Sequence, residues 1–221
     1  MTWKKLFMIS GGKGIFVKEA QTSSGGQGVT YVAESELSVS KILEITRTIK
    51  TDVVIQKELR QHKDMAVLNE SSVNSLRIYS VLGLNGIVKI YSAVVRMGID
   101  GGKLDNYSAG GVTCGIKDDG TLRKYCYDKY GTKSEEHPSS HVRFEGFVIP
   151  SYEQAKQLVY KAHPMIAHYR SIAWDIAIRE DGVPVLIEAN LCRGGIDSLQ
   201  VNNGPLYGED TKKILDEVFG K

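Results

Sequence analysis

The sequence has little of what marks secreted, zinc-stabilised or membrane-spanning proteins. Its three cysteines, Cys114, Cys126 and Cys192, are odd in number and form no CxxC pair, which indicates neither a disulfide framework nor a structural zinc site. No apolar run approaches the roughly 20 residues that a membrane-spanning helix needs. The apolar stretch after Met1 is too short, and too soon interrupted by glycines, for a signal peptide. We therefore expect a soluble, cytoplasmic protein without a membrane span.

A strong excess of charge of one sign is also missing. The chain has 28 Lys and Arg against 26 Asp and Glu, which gives a net charge of +2. This balance argues against a protein built to bind nucleic acid, because such binding depends on many cationic contacts to phosphates. Hydrophobic residues make up 42% and charged residues 24%, as in ordinary globular proteins. The length allows one large domain or two small ones.

What is present is a mixture of strand and helix patterns. The loop QTSSGGQG predicts a hairpin with a long tip, and Asn85-Gly86 predicts a tight turn within a β-meander. Ser151 and Gln154 fit a capping box, and Pro164 should kink or end the helix that follows. The expected elements are strands over 15–20, from 29 and over 52–59, a helix over 40–50, a meander over 75–120, an irregular segment over 122–147, a helix from 151, strands over 171–179 and 183–190, and a helix over 209–219. Because strands and helices do not alternate strictly, the predicted class is α+β with largely antiparallel sheet.

The last two strands can be paired from their sequence. If Asp181-Gly182 forms a two-residue type I′ turn, the register places Asp175 directly opposite Glu188. Strand alternation then puts Asp175, Glu188 and Asn190 on one face. The opposite face should be core, with Ile172, Trp174, Ile176, Ile178, Val183, Val185, Ile187 and Ala189. Pro184 cannot donate to a strand ladder and could accompany a bulge that disturbs this register.

Two carboxylates that face each other across a strand pair are destabilising unless a proton or a cation lies between them. With Asn190, Asp175 and Glu188 make three oxygen ligands of the kind that Mg²⁺ prefers when it also binds phosphate. The alternative is a solvated polar face with no ligand. The apolar surroundings and the position of Asn190 favour a metal site.

The segment VKEAQTSSGGQGV combines a strand lysine with a glycine-rich loop. Glycines let backbone N–H groups approach phosphate oxygens, and serine hydroxyls add donors. The loop is not a Walker P-loop, since GxxxxGK[ST] is absent. By itself it would be a flexible hairpin tip. Beside a predicted metal hairpin it favours binding of a nucleotide triphosphate.

Several other residues leave two interpretations open. Arg77 and Arg96 lie in apolar strands, where they either form structural ion pairs or contact phosphate. Asn106 could line an acceptor pocket or belong to a plain turn. His137 is interpreted as a loop histidine with no task, and Cys192 has no recognisable base beside it.

These features together resemble the ATP-grasp superfamily, and within it the sugar-transfer-associated ATP-grasp family. The resemblance rests on Lys18 with Gly25, Gly26 and Gly28, on VVIQKEL, and on the Asp/Glu/Asn set spaced 13 and 2 apart. The segments NSLRIYSV, VVRMG, DNYSAGGV, FEGFVIPSYEQA, AWDIAI and LIEAN carry the closer match. They cover about residues 14–206.

The resemblance implies an ATP-grasp fold in which two α+β subdomains, residues 1–58 and 59–221, hold ATP between them. It implies that Lys18 binds the phosphates, that a lid formed by Ser24, Gly25, Gly26 and Gly28 covers them, and that the hinge residues Gln56, Lys57, Glu58 and Leu59 hold adenine and ribose. It assigns Mg²⁺ to Asp175, Glu188 and Asn190, and the transferring phosphoryl group to Arg77, Arg96 and Arg193. Only 17 residues precede Lys18, so the amino-terminal domain usual in such ligases is expected to be absent.

The implied function is an ATP- and Mg²⁺-dependent ligase that joins a carboxylate to an amine through an acyl phosphate, in the synthesis of capsule or cell-surface polysaccharide. Its substrates would be small-molecule or sugar-linked carboxylates and amines. Two alternatives stay open, a non-catalytic nucleotide-binding partner of a glycosyltransferase system and a phosphotransferase.

Overall fold

The computed structural model describes residues 14–20, 28–50, 52–101, 110–192 and 194–220. The chain divides into two compact units, Met1–Arg60 and Gln61–Lys221. The elements in chain order are β1 (Ile15–Glu19), β2 (Val29–Val32), α1 (Val39–Thr48), β3 (Val53–Lys57), α2 (Lys63–Leu68), β4 (Ser75–Leu82), β5 (Val88–Met97), β6 (Val112–Ile116), β7 (Leu122–Tyr127), β8 (Lys133–Ser134), α3 (Tyr152–Ala162), β9 (Ser171–Ile178), β10 (Pro184–Asn190), α4 (Ile196–Asn203) and α5 (Thr211–Phe219), with 3₁₀ turns at Glu34–Glu36, His163–Ile166 and Gly208–Asp210. Across these described ranges, no helix has the length and apolarity needed to cross a membrane.

The first unit is built on a three-stranded antiparallel sheet of order β2-β1-β3. Helix α1 begins after Ser38, whose Oγ accepts a hydrogen bond from the backbone N–H of Lys41 at 3.1 Å, as an N-cap residue should. Its apolar residues recur at helical spacing, and Ile42 is buried against the sheet while Ile45 and Ile49 pack beside it. The predicted helix is therefore confirmed.

The second unit is built on a seven-stranded antiparallel sheet of order β10-β9-β4-β5-β6-β7-β8. One face carries the larger core, with Trp174, Ile176 and Ile178 of β9 and with α3 packed over it. The other face carries a smaller core that includes Tyr79, Ala173 and Leu199. Strand β9 therefore runs between two apolar layers.

The sequence predicted an irregular segment over residues 122–147, and this prediction is only partly correct. These residues contain β7 and the short β8, which extend the sheet at its edge. Strand β7 buries only Leu122 and Cys126 among six residues. Since β7 lies beside the two-residue edge strand β8 and buries few side chains, its sequence lacks a clear alternation of polar and apolar residues.

Two helix predictions are corrected by the structure. Ser151 precedes α3 with a φ of +54° and makes no side-chain cap, so the predicted capping box is wrong. Helix α4 is absent from the sequence prediction, because its contacts with the sheet are partly polar and its pattern is not amphipathic. Asn202 Nδ2 donates to Thr113 Oγ1 at 2.8 Å, and Asn203 Nδ2 donates to the carbonyl of Ala93 at 2.9 Å. Pro164 ends α3 in a 3₁₀ turn, as expected.

Candidate active site

The candidate site lies on adjacent strands at the β10 edge of the large sheet. Arg77 of β4 is the register partner of Asp175 of β9, and Asp175 is in turn the partner of Glu188 of β10. Asn190 pairs with Ala173, two residues before Asp175. Because directly paired residues share a face of the sheet, the sheet brings together one arginine, two carboxylates and one amide. The predicted opposition of Asp175 and Glu188 is confirmed.

Asp175 is bonded on both of its oxygens. Arg77 Nε donates to Oδ1 at 2.8 Å, and Arg77 Nη2 donates to Oδ2 at 2.8 Å. Arg96 Nη1 adds a third bond to Oδ2 at 2.8 Å. The carboxylate is only 4% exposed. Arg77 and Arg96 therefore both form an ion pair with Asp175.

The charge state of Asp175 follows from these contacts. Burial raises the pKa of the Asp175 carboxyl, but the hydrogen bonds from Arg77 and the positive charges of Arg96 and Arg77 outweigh burial. The net pKa lies below the usual value of an aspartate, so the group is ionised at neutral pH.

The turn of the β9–β10 hairpin differs from the predicted one. The N–H of Gly182 bonds to the carbonyl of Arg179, and the N–H of Arg179 bonds to the carbonyl of Val183. The loop therefore has three residues, with Gly182 at a φ of +81°, as in the three-residue hairpin closed by a left-handed glycine. A register shift between Leu186 and Glu188 then adds one residue to β10. The two differences cancel at Glu188, which is why the predicted pairing holds there.

For the β10 residues before the bulge, the prediction of which side chains lie on the core face is wrong. Val185 lies opposite Ala177 and Leu186 lies opposite Ile176, so Val185 does not share the core face of Ile176. Val183 is 46% exposed. After the bulge the prediction holds, since Ala189 lies opposite Trp174 and packs against the core.

Glu188 and Asn190 lie on the same face of β10. Glu188 is exposed. Asn190 uses its Nδ2 to donate to the carbonyl of Ala173 at 3.2 Å and to Asp175 Oδ2 at 3.3 Å. Its Oδ1 is thereby left on the opposite side of the amide, available to a ligand. In the described ranges, no three His, Cys, Asp or Glu side chains are grouped as a metal would require, so any site here depends on the amide oxygen and on the ligand.

A cavity opens beside Asn190, with a volume of about 360 Å³. Tyr79 and Asp197 line it together with the glycines that precede α4. A side chain at Gly194 would meet Ala173 Cβ at 3.2 Å and the Tyr79 ring at 3.3 Å. A side chain at Gly195 would lie 2.7 Å from Arg77 Nη1. The glycines thus let the chain pass close to Arg77 and leave the cavity open.

Replacing Gly195 by alanine is expected to lower the free energy of unfolding by about 1–2 kcal/mol, the cost of a left-handed conformation for a residue with a Cβ, and to displace Arg77 as well. Gly195 has a φ of +63° and a ψ of +49°. Gly86→Ala is the matched control, because Gly86 also has a positive φ but, among the described residues beyond its chain neighbours, has no atom within 4 Å of where the methyl group would lie. Urea unfolding should show a larger loss for Gly195→Ala than for Gly86→Ala. Equal losses would mean that the contact with Arg77 does not matter.

In the first unit, the predicted nucleotide residues are placed as follows. Lys18 lies in β1 between Val29 and Val54, and Gly28 closes the hairpin through a bond from the N–H of Glu19 to its carbonyl at 3.3 Å. Glu58 accepts hydrogen bonds from the backbone N–H of Gly14 and from the Tyr31 hydroxyl, each at 3.1 Å. Gln56 and Lys57 end β3, and Leu59 follows. Ser24, Gly25, Gly26, Asn106 and Arg193 lie outside the described residues.

Sequence reasoning missed two buried histidines. His163 Nε2 bonds to the carbonyl of Tyr169, which can only accept, so in the neutral ring Nδ1 accepts from the Ser80 hydroxyl at 2.8 Å, while the Trp174 indole N–H donates to Ser80 Oγ. His163 Nε2 then donates to the carbonyl of Tyr169 at 3.0 Å. His137 Nε2 donates to the carbonyl of Gly98 at 2.9 Å.

The interpretation of His137 as a loop residue without a task is therefore wrong. Its Nδ1 accepts from the N–H groups of Ser139 and Ser140, so the ring joins two loops of the second unit. Burial lowers the pKa of both His137 and His163. Each ring is neutral in the fold, and neither contacts the candidate site directly.

Comparisons with known proteins agree with the fold that the sequence predicted. Residues 4–214 match the profile of the family described as sugar-transfer associated ATP-grasp. D-alanyl-alanine synthetase A from Vibrio cholerae is similar with a TM-score of 0.53 and 13% identity, over 99% of this chain and 56% of that chain. N5-carboxyaminoimidazole synthetase from Staphylococcus aureus, solved with ADP, is similar with a TM-score of 0.50 and 11% identity, over 84% of this chain and 36% of that one. A search among curated proteins found no match.

These likenesses confirm the predicted α+β fold of ATP-grasp type. At such low identity they show the fold alone. The chain spans between about a third and just over half of the length of the two solved proteins.

Proposed function

Because the chain belongs to the sugar-transfer-associated ATP-grasp family, we propose that it is an ATP- and Mg²⁺-dependent ligase that joins a carboxylate to an amine through an acyl phosphate. The observation that carries the proposal is the site on β4, β5, β9 and β10. Two arginines and a buried aspartate there adjoin an exposed glutamate and an oriented amide. The names of the two solved proteins, both synthetases, agree with the reaction class. We further propose that the reaction belongs to capsule or cell-surface polysaccharide synthesis, for which the support is the association with sugar transfer in the family description.

The second unit would supply the phosphoryl-transfer groups. Glu188 and Asn190 offer hard oxygen ligands that fit Mg²⁺, which when bound would offset the negative charge of the triphosphate. Arg77 and Arg96 would stabilise the charge on the transferring phosphoryl group, since a fixed guanidinium acts strongly in a site shielded from water. Arg193 would take part in the same way.

Nucleotide binding is proposed for residues of the first unit. Lys18 would bind phosphate, with Ser24, Gly25, Gly26 and Gly28 forming the lid. The backbone around Gln56, Lys57, Glu58 and Leu59 would hold adenine. Glu58 is fixed by Gly14 and Tyr31, which supports a stable conformation at this hinge.

The cavity beside Asn190 is proposed to hold the acceptor. A volume of about 360 Å³ is at the small end of the range for ligand pockets, so the bound part of the acceptor is small. The Asp197 carboxylate lines the cavity and can accept hydrogen bonds from an amine. In the reaction, the carboxylate takes the γ-phosphoryl group and releases ADP. The amine then attacks the acyl carbon and loses a proton to solvent, the C–O bond breaks, and phosphate leaves.

The test is ADP formation by the whole chain, measured with a panel of carboxylates and amines, each pair also assayed with either member omitted. A ligase should form ADP at its full rate only when both are present. A stable phosphorylated product that needs no amine would instead indicate a phosphotransferase. ATP binding without any turnover would indicate a non-catalytic partner of a glycosyltransferase system, and either result would overturn the ligase proposal.

A further inference from the structure

We infer that Asn202 and Asn203 are positioning residues: from the last turn of α4 they fix the cavity wall that the first turn of this helix forms, and they thereby determine which amine the cavity accepts. Neither residue lines the cavity. The choice of an amine rests on the proposed function, whereas the fixing of the wall depends only on the fold of the second unit.

Helix α4 supplies one wall of the acceptor cavity. Ile196 and Asp197 of its first turn line the cavity. Ser198 Oγ donates to the carbonyl of Gly195 at 2.9 Å, which ties the residue before the helix to the same turn. The helix has eight residues, and a rise of about 1.5 Å per residue places Asn203 about 10 Å along the axis from Ile196. A shift of the helix therefore moves the wall.

Apolar packing alone does not fix α4 on the sheet. Among its apolar side chains only Leu199 is fully buried, and it packs in the smaller core with Tyr79 and Ala173. Ile196 and Val201 are exposed. An isolated helix of this length has no stability of its own, and one buried side chain does not fix both its rotation and its translation. Other contacts must hold it in place.

Asn203 ties the end of α4 to two strands. Its Nδ2 donates to Ser92 Oγ and to the carbonyl of Ala93, each at 2.9 Å, and both of these residues lie in β5. Its Oδ1 accepts from Arg123 Nε of β7 at 2.7 Å. The side-chain amide thus uses its donors and its acceptor in fixed directions, and any movement of the helix end breaks these bonds.

Asn202 ties the same end to the strand between them. Its Nδ2 donates to Thr113 Oγ1 of β6 at 2.8 Å. Its Oδ1 is buried and, among the residues that the structure describes, has no hydrogen-bond partner. A buried acceptor without a partner lowers stability, so the amide of Asn202 fixes a direction more than it stabilises the fold.

Gly115 leaves the room that this arrangement needs. It is buried in β6 and is not among the glycines with a positive φ, so its backbone does not require a glycine. A Cβ there would overlap Asn203 Oδ1 and would lie 2.7 Å from Arg123 Cδ. Any side chain at this position would therefore push the end of α4 away from the sheet.

The experiment displaces the end of α4 in two ways. Gly115→Ala pushes Asn203 outward, and Asn203→Ala removes its three hydrogen bonds. The matched control is Gly83→Ala. Gly83 also lacks a positive φ, and a Cβ there would lie 2.6 Å from Asn85 Oδ1, but both residues belong to the turn between β4 and β5.

Hydrogen exchange of the whole chain, followed by mass spectrometry without any ligand, measures the local opening of α4. Amides of residues 194–203 should exchange at least about tenfold faster in Asn203→Ala, because each lost hydrogen bond accounts for roughly two- to tenfold. Gly115→Ala should raise the exchange of the same amides. Amides of β9 should keep their protection in both variants, and Gly83→Ala should match the wild type over residues 194–203.

Steady-state kinetics tests the choice of the amine, with the carboxylate and the amine identified by the ADP assay. In Gly115→Ala and Asn203→Ala, kcat/KM for the amine should fall at least about tenfold, since a displacement of about 1 Å that arises far from the chemistry can cost about 100-fold. The KM for ATP should not change, and Gly83→Ala should keep both values of the wild type.

Each other result overturns a stated part of the inference. Unchanged exchange over residues 194–203 in both variants, or an equal loss of protection in β9, would show that the asparagines do not position α4. Faster exchange with an unchanged kcat/KM for the amine would show that this wall does not select the amine. If no carboxylate and amine support ADP formation, the proposed function fails and the selection of an amine fails with it, while the exchange data still decide the positioning of the wall.

A milder variant keeps the test decisive if Asn203→Ala does not fold. Arg123 is exposed, and Arg123→Ala removes only one of the three hydrogen bonds of Asn203. It should raise the exchange over residues 194–203 roughly two- to tenfold. Wild-type exchange in both Arg123→Ala and Gly115→Ala would overturn the positioning role.

Discussion

Glu188→Gln is expected to lower Mg²⁺-dependent ATP turnover, or Mg²⁺-dependent ATP binding where turnover is not measurable, by at least about 100-fold, since under the proposed function it removes a direct ligand of the metal rather than a supporting residue. Glutamine keeps the size of the side chain but loses the negative charge. The fold should be intact, because Glu188 is exposed and substitutions at exposed positions usually change stability by less than about 0.5 kcal/mol. ADP release and nucleotide titration would measure the loss.

The matched control is Glu180→Gln, which removes one carboxylate from the exposed loop of the same hairpin. It should leave metal-dependent binding and turnover close to wild type. Wild-type behaviour in Glu188→Gln, or an equal loss in both variants, would contradict the assignment of Glu188 to the metal.

Mild acid is expected to destabilise the second unit through His137 and His163. Both are fully buried, and burial lowers the pKa of each. The folded state therefore binds fewer protons than the unfolded state, whose histidines titrate near pH 6.5. The stability contributed by the neutral rings is complete above that pH and is lost as the pH falls below it. From pH 7 to 5.5 the loss should reach roughly 2.5 kcal/mol for the two rings if both remain neutral in the fold.

Urea unfolding at the two pH values can measure this loss through the fluorescence of Trp174, which lies 5.8 Å from His163 between ring centroids. A Trp3→Phe background leaves Trp174 as the single tryptophan. His137→Asn should remove about half of the pH dependence, while the matched substitution His168→Asn should leave it nearly unchanged, because His168 is exposed. If the wild type has the same unfolding free energy at pH 7 and 5.5, the two rings are not held neutral by the fold.

The pairing of Asp175 with Glu188 was predictable, but for an incomplete reason. The sequence suggested a two-residue turn, and the structure has a three-residue loop together with a bulge between Leu186 and Glu188. A bulge adds one residue to one strand, so it restores the register that the longer loop had shifted. Pro184 was the only sequence signal of irregularity, and it lies before the bulge. Alternation alone could not locate the extra residue.

The partners of Asp175 could not be predicted from the sequence. Arg77 and Arg96 are 98 and 79 residues away from it along the chain, and which strands become neighbours is decided by the packing of the whole sheet. The two glycines before α4 did carry a readable signal, since Gly-Gly after a polar strand end indicates a close approach of the backbone. Helix α4 was missed because hydrogen bonds from Asn202 and Asn203 hold it on the sheet. Such polar contacts produce no apolar periodicity in the sequence from which a helix could be predicted.

The fate of the carboxylate oxygen tests the proposed ligase chemistry most directly. Once the ADP assay has identified a carboxylate and an amine, the carboxylate is labelled with oxygen-18 and the released phosphate is analysed by mass spectrometry. An acyl phosphate leaves one carboxylate oxygen on phosphate when the amine displaces it, so the account predicts one labelled oxygen in each phosphate formed. Phosphate without label, or label in AMP, would contradict it.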